Sequence, residues 1–142
     1  MPRFESPEDR ARQEEARGWL ATHFECDVVS QEPLSEIDYV ATRNGRALWV
    51  GEHKARFVQS TTYPTVFLSW RKWMALVVTG HNMECGGLYV VRFYDRVLFV
   101  TMNKVDARGW RYFDTRHVYR TASDHELVVE VPVSDMTELH VF

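Results

Sequence analysis

No apolar run in the sequence approaches the length of a membrane span, and the N-terminal residues are charged, so neither an anchor nor a signal peptide is expected. Cysteine is scarce. Cys26 and Cys85 form no motif, which fits a reduced, intracellular setting. His81 and Cys85 lie four apart but have no second pair at zinc spacing. No internal repeat or low-complexity linker interrupts the 142 residues, so one domain over 1–142 is expected. Positive charge is not in excess either: the formal net charge is −3, which does not by itself mark a nucleic-acid binder.

What is present is a folded-protein composition, 45% hydrophobic and 13% aromatic, with its charge unevenly spread. Arg43, Arg46, Lys54, Arg56, Arg71 and Lys72 stand against Glu52 alone between residues 43 and 72. Residues 124–142 hold only acids among their charges: Asp124, Glu126, Glu130, Asp135 and Glu138. A locally basic face around residues 43–72 suits phosphate contact better than the total charge does.

That basic stretch begins in a hairpin over residues 34–56. Two strand-like runs, Ile37–Thr42 and Ala47–Ala55, flank Arg43-Asn44-Gly45-Arg46, whose Asn and Gly tolerate the left-handed backbone of a tight turn. Asp38 lies on the first run. Glu52 and Lys54 lie two apart on the second, hence on one strand face. A two-residue Asn-Gly loop would pair Arg43 with Arg46 and put Asp38 and Glu52 on opposite faces. A three-residue loop would pair Thr42 with Arg46 and bring the two carboxylates to one face. Two carboxylates and a lysine together are costly unless something binds, and a divalent cation would remove the repulsion.

Asp38…Glu52-His53-Lys54 on a strand–turn–strand resembles the D…(D/E)xK core of the PD-(D/E)xK nuclease superfamily. The residue before the aspartate is Ile37, where the superfamily's name has proline. The stretch from Glu52 through the Tyr63-Pro64-Thr65 turn, the Lys72-Trp73 helix and the late Val131-Pro132-Val133 strand also resembles small phage-encoded members, over roughly residues 27–138.

The rest of the chain reads in the order that resemblance implies. Residues 6–24 form a first helix, with Ser6 as N-cap, Pro7 at the first position, and Ala16, Trp19, Leu20, His23 and Phe24 on the buried face. Cys26–Ser30 is a short strand. Pro64 marks the start of a second helix, capped by Thr61 or Thr62 and stopping near Gly80, with Phe67, Trp70, Trp73, Met74 and Val77 inward. A second hairpin turns near Tyr94-Asp95-Arg96. Residues 109–121 read as irregular with a strand around Tyr112–Asp114, and 126–134 as a strand whose Pro132 argues for an edge or strand end. The expected class is α/β (α+β, mixed sheet): a restriction-endonuclease-like α-β-β-β-α-β core with an additional C-terminal hairpin or strand.

The resemblance implies a Mg2+- or Mn2+-dependent deoxyribonuclease in a phage-like processing or packaging role, with endonucleolytic action. Asp38, Glu52 and the His53 carbonyl would hold the metal, and Lys54 would position the attacking water. Glu14 or Glu15 on the first helix, with Glu15 preferred, would add a carboxylate. Arg43, Arg46, Arg56, Gln59, Tyr63, Arg71 and Lys72 are the candidates for DNA contact. A homodimer or a phage protein is the expected partner besides DNA, with no membrane involved. The alternative is a catalytically inactive module of this fold, serving nucleic-acid binding or virion assembly.

Overall fold

The computed structural model describes residues 6–31, 35–102, 112–114 and 127–142. The chain runs α1 (Pro7–Phe24), β1 (Asp27–Ser30), β2 (Tyr39–Arg43), β3 (Arg46–Ala55), β4 (Thr65–Ser69), α2 (Trp70–Asn82), β5 (Gly86–Arg92), β6 (Arg96–Thr101), β7 (Tyr112–Asp114), β8 (Leu127–Pro132) and β9 (Thr137–Val141). Six strands form one sheet in the order β1-β2-β3-β5-β6-β9, and β4-β8-β7 form a second. Among the described strands of the larger sheet, only β3 and β5 run parallel. That crossover is made by β4 and α2, as a parallel pair requires. Most of the expected irregular stretch 109–121 and part of the 31–33 loop lie outside the described residues.

Helix α1 starts where its chemistry dictates. The Ser6 hydroxyl accepts the Asp9 N–H, the Asp9 carboxylate accepts the Ser6 N–H, and Pro7 supplies a preset backbone angle. Ala16 and Leu20 are its buried side chains, and Leu20 packs on one face of the larger sheet with Tyr39, Trp49, Leu88 and Val90. Helix α2 covers the other. Trp73, Ala75 and Leu76 pack there against Val50, Tyr89, Val91 and Val129, so the second sheet and α2 share one core. Complete burial of Leu76 contributes about 1.5–3 kcal/mol.

Two expectations are corrected, and the choice between the two hairpin loops is decided. The second helix does not begin at Pro64. Thr65–Ser69 is strand β4, with Val66 and Leu68 buried and each residue paired with β8; the helix begins at Trp70, where the Ser69 hydroxyl caps the Lys72 N–H at 3.1 Å. Local pattern allowed a helix; a strand partner some sixty residues later decided otherwise. Nor does α2 stop at Gly80. It runs to Asn82, and the glycine is needed because a Cβ there would stand 2.8 Å from the Cys85 carbonyl oxygen. The hairpin loop, finally, has two residues, not three. Asn44 and Gly45 both have positive φ, 52° and 75°, and Arg43 pairs with Arg46.

A two-residue loop should have separated Asp38 from Glu52. A β-bulge prevents it. Thr42 pairs with Ala47 but Ala41 pairs with Trp49, leaving Leu48 as an extra residue that shifts the register by one. Beyond the bulge every side chain of β3 has changed face relative to β2. The alternation then sends Val50 and Glu52 toward α2, while Trp49 and His53 point toward α1.

Candidate active site

Asp38 immediately precedes β2. Its N–H donates to the Gly51 carbonyl at 2.9 Å, and its Oδ2 accepts the His53 N–H at 2.8 Å. Backbone contacts to both neighbours of Glu52 therefore fix Asp38 beside that residue. Glu52 is buried. Burial, reinforced by the Asp38 charge and partly opposed by Lys72, pushes its carboxyl up to about 8. One oxygen, Oε1, lies 3.5 Å from the Lys72 Nζ; the other, Oε2, is buried without a hydrogen-bond partner among the described residues. Lys54 follows on the same strand face, exposed at the mouth.

Glu52, Lys54 and Lys72 open into a cleft of about 780 Å3 between β3 and β4. On its wall the Phe67 carbonyl accepts both Tyr89 Oη at 3.0 Å and Arg56 Nη2 at 2.9 Å, tying β4 to the larger sheet. Tyr89 pairs in register with Glu52 across the parallel strands, and burial holds its phenol well above the ordinary range. Neither Tyr89 nor the Lys72–Glu52 pair was read from the sequence. The parity of β5 against Glu52 is the signal for Tyr89, once the parallel pairing is known.

The His53 side chain faces the other way. It is buried toward α1 with Nε2 unpartnered among the described residues, against the Tyr39 ring at 6.5 Å between centroids. Burial, then the Arg92 and Arg12 charges, lowers its imidazole to about 4, so it is neutral at physiological pH. Only its backbone belongs to the site.

The remaining candidates divide. Glu15 is not brought to the carboxylate pair. It bonds Arg92 at 3.3 Å, and Arg92 shares the α1-facing side of β5 with Leu88 and Val90, across the sheet from Glu52. Glu14 is exposed on α1. Arg43 binds the Phe24 and Glu25 carbonyls at the end of α1, and Arg46 stands opposite it at the hairpin tip. Six residues of strand, about 20 Å, separate that tip from Glu52. Arg56 and Tyr63 line the cleft, Tyr63 being largely exposed. Gln59 is exposed, with its carbonyl closing a turn to the Thr62 N–H. Arg71 is exposed and 3.7 Å from Glu36. Lys72, expected to meet phosphate, instead meets Glu52 and, at 3.5 Å, the Glu36 carbonyl.

A mixed sheet with helices on both faces, carrying an aspartate at one strand's entry and ExK on the next, defines a restriction-endonuclease-like fold. The chain is similar to Hjc, a Holliday junction resolvase from the archaeal hyperthermophile Archaeoglobus fulgidus, with a TM-score of 0.57 at 14% identity, covering 89% of this chain and 90% of that one. Residues 1–139 match the family described as "Phage putative PDDEXK endonuclease", and the chain belongs to that family. No curated protein matches it. No described helix is long and apolar enough to cross a membrane.

Proposed function

We propose that this chain is a divalent-metal-dependent endodeoxyribonuclease acting in phage DNA processing or packaging, with Mg2+ or Mn2+ held by Asp38, Glu52 and the His53 carbonyl. The observation that carries the reading is the pinned carboxylate pair: Asp38 is fixed by the His53 amide beside Glu52, whose buried Oε2 has no hydrogen-bond partner among the described residues. The donors suit the ion. No group of three or more His, Cys, Asp or Glu side chains converges among the described residues, so two carboxylates and a carbonyl would leave positions for water and substrate phosphate, an arrangement Mg2+ favours. When bound, the cation would neutralise the carboxylates and polarise a phosphate oxygen.

The chain's own groups supply the rest. Asp38 and Glu52 fix where the scissile phosphate must stand. The exposed Lys54 ammonium, two residues beyond Glu52, orients the attacking water and stabilises charge developing on the phosphate. Arg56, Tyr63 and Lys72 give the cleft cationic and hydrogen-bonding groups for the strand that enters it. The proposed setting is the host cytoplasm, with DNA as the partner.

One observation favours the inactive-module reading: the Lys72 ammonium stands 3.5 Å from Glu52 Oε1, a cationic partner that requires no metal. Labelled duplex, single-stranded, flapped and four-way DNAs, incubated with Mg2+ or Mn2+ and wild type or Lys54→Ala, separate the two. Cleavage that Lys54→Ala loses supports the nuclease. DNA binding with neither cleavage nor a metal-induced rise in melting temperature supports the module.

A further inference from the structure

Past Lys54, the ends of β3 and β5 enclose a second cavity of about 220 Å3, where Arg12, Arg56 and Arg92 alternate with Phe57, Tyr94 and Phe142. The Arg12 guanidinium stands 5.2 Å from the Phe57 ring centroid, and that of Arg92 stands 4.8 Å from the Phe142 ring. All three rings are more than half exposed, at 58% for Phe57, 59% for Tyr94 and 53% for Phe142. The Phe57 and Tyr94 rings are 6.3 Å apart at 50°. Rings left this wet and rimmed by cations mark a binding surface more than a packing remnant. Arg12 and Arg92 have acidic partners in Asp9 and Glu15, but neither acid lines the cavity; Arg56 donates to a neutral carbonyl.

We infer that this cavity is a stacking subsite for one unpaired nucleotide of the DNA strand entering the Glu52–Lys54 cleft. The base lies against Tyr94 and Phe57, and the flanking phosphate meets Arg12 and Arg92. The inference rests on the nuclease reading of the neighbouring cleft. Continuity supports it: Arg56, Phe57 and Phe93 wall both cavities, and Arg56 lies at most about 7 Å of chain beyond Lys54. Chemistry selects the occupant. An acidic peptide would satisfy the guanidinium groups but leave the ring faces in water. A paired base has both faces already stacked, whereas an unpaired base offers a π-face to the rings and a phosphate to the arginines.

The test uses the full chain carrying Lys54→Ala, with Mg2+, so that binding is read without cleavage. The probes are a duplex with one overhanging 2-aminopurine, the same duplex with 2-aminopurine paired internally, and a blunt duplex. The expected result is quenching of the overhanging base only, and affinity for the overhang about tenfold above that for the blunt duplex. Adding Tyr94→Ala should abolish both the quenching and the preference, while Tyr94→Phe keeps them. Equal affinity for overhang and blunt duplexes, or quenching that survives Tyr94→Ala, overturns the subsite. Mg2+-dependent cleavage by the otherwise wild-type chain is scored separately, so the subsite can fail while the nuclease reading stands. Absence of both cleavage and DNA binding removes both.

Discussion

The His53 amide donates to Asp38 Oδ2 at 2.8 Å, so the backbone of the ExK strand itself holds the aspartate of the neighbouring strand in place. The bond orients a carboxylate that repels Glu52. The contact offsets part of that repulsion, since hydrogen bonds to charged groups contribute about 1.5–3 kcal/mol.

Asp38→Asn keeps an acceptor for the His53 N–H and removes the charge facing Glu52. In EDTA above pH 8, where Glu52 is ionised, the variant should melt higher than wild type, and its cleavage in Mg2+ should fall below detection. Thermal denaturation and a gel assay on one preparation check both. A variant that melts lower in EDTA would show that the repulsion is negligible.

The buried ionisable groups fix the pH dependence of the metal-free protein. Unfolded Glu52 titrates near 4.5 and folded Glu52 at about 8, so the folded chain keeps a proton that the unfolded chain releases. Its contribution therefore falls as pH rises from 4.5 to 8. His53 moves oppositely, from 6.5 unfolded to about 4 folded, so stability is lost as pH drops through that window. The two oppose each other below 6.5. Between 6.5 and 8 only Glu52 of these two groups contributes, and its part of the stability should decline by up to about 2 kcal/mol. Urea titrations in EDTA at pH 6.5 and 8 should show that decline in wild type and lose it in Glu52→Gln.

Lys72 and a bound cation would compete for Glu52. Lys72→Met should destabilise the metal-free protein at pH 8, because the ammonium 3.5 Å from Glu52 is removed. It should also enlarge the rise in melting temperature on adding Mg2+ by about 3 °C or more. An unchanged rise would mean that the ammonium and the cation occupy separate places.

Gly51 adjoins the site's glutamate in a crowded layer. A Cβ there would lie 2.8 Å from Trp49 Cζ3 and 3.2 Å from Tyr39 Cδ2, and Tyr39 is completely buried. Gly51→Ala should therefore cost about 1–3 kcal/mol, measured as a lowered urea midpoint with an unchanged m-value.

The first helix and its Ser6 cap, the Asn44-Gly45 turn and the hairpin at residues 94–96 were legible in the sequence, because each depends on residues close along the chain. So was the family resemblance, carried by Asp38, Glu52 and Lys54. Strand β4 was not, since its partner β8 is remote and the apolar spacing from Phe67 to Val77 served a helix equally well. The C-terminal strand β9 was covered only by the general expectation of an added strand.

The sequence by itself determined which chemical groups are available: two carboxylates, a lysine two beyond the second, and turn residues able to fold them together. Only the tertiary structure decided that they meet. The turn has the two-residue loop that would have parted Asp38 from Glu52, and the bulge at Leu48 restores the face they share. It also sent Glu15 to Arg92 across the sheet and brought Lys72 from α2 onto Glu52. Strand parity and long-range strand pairing govern such encounters, and a single register shift reverses every side chain beyond it.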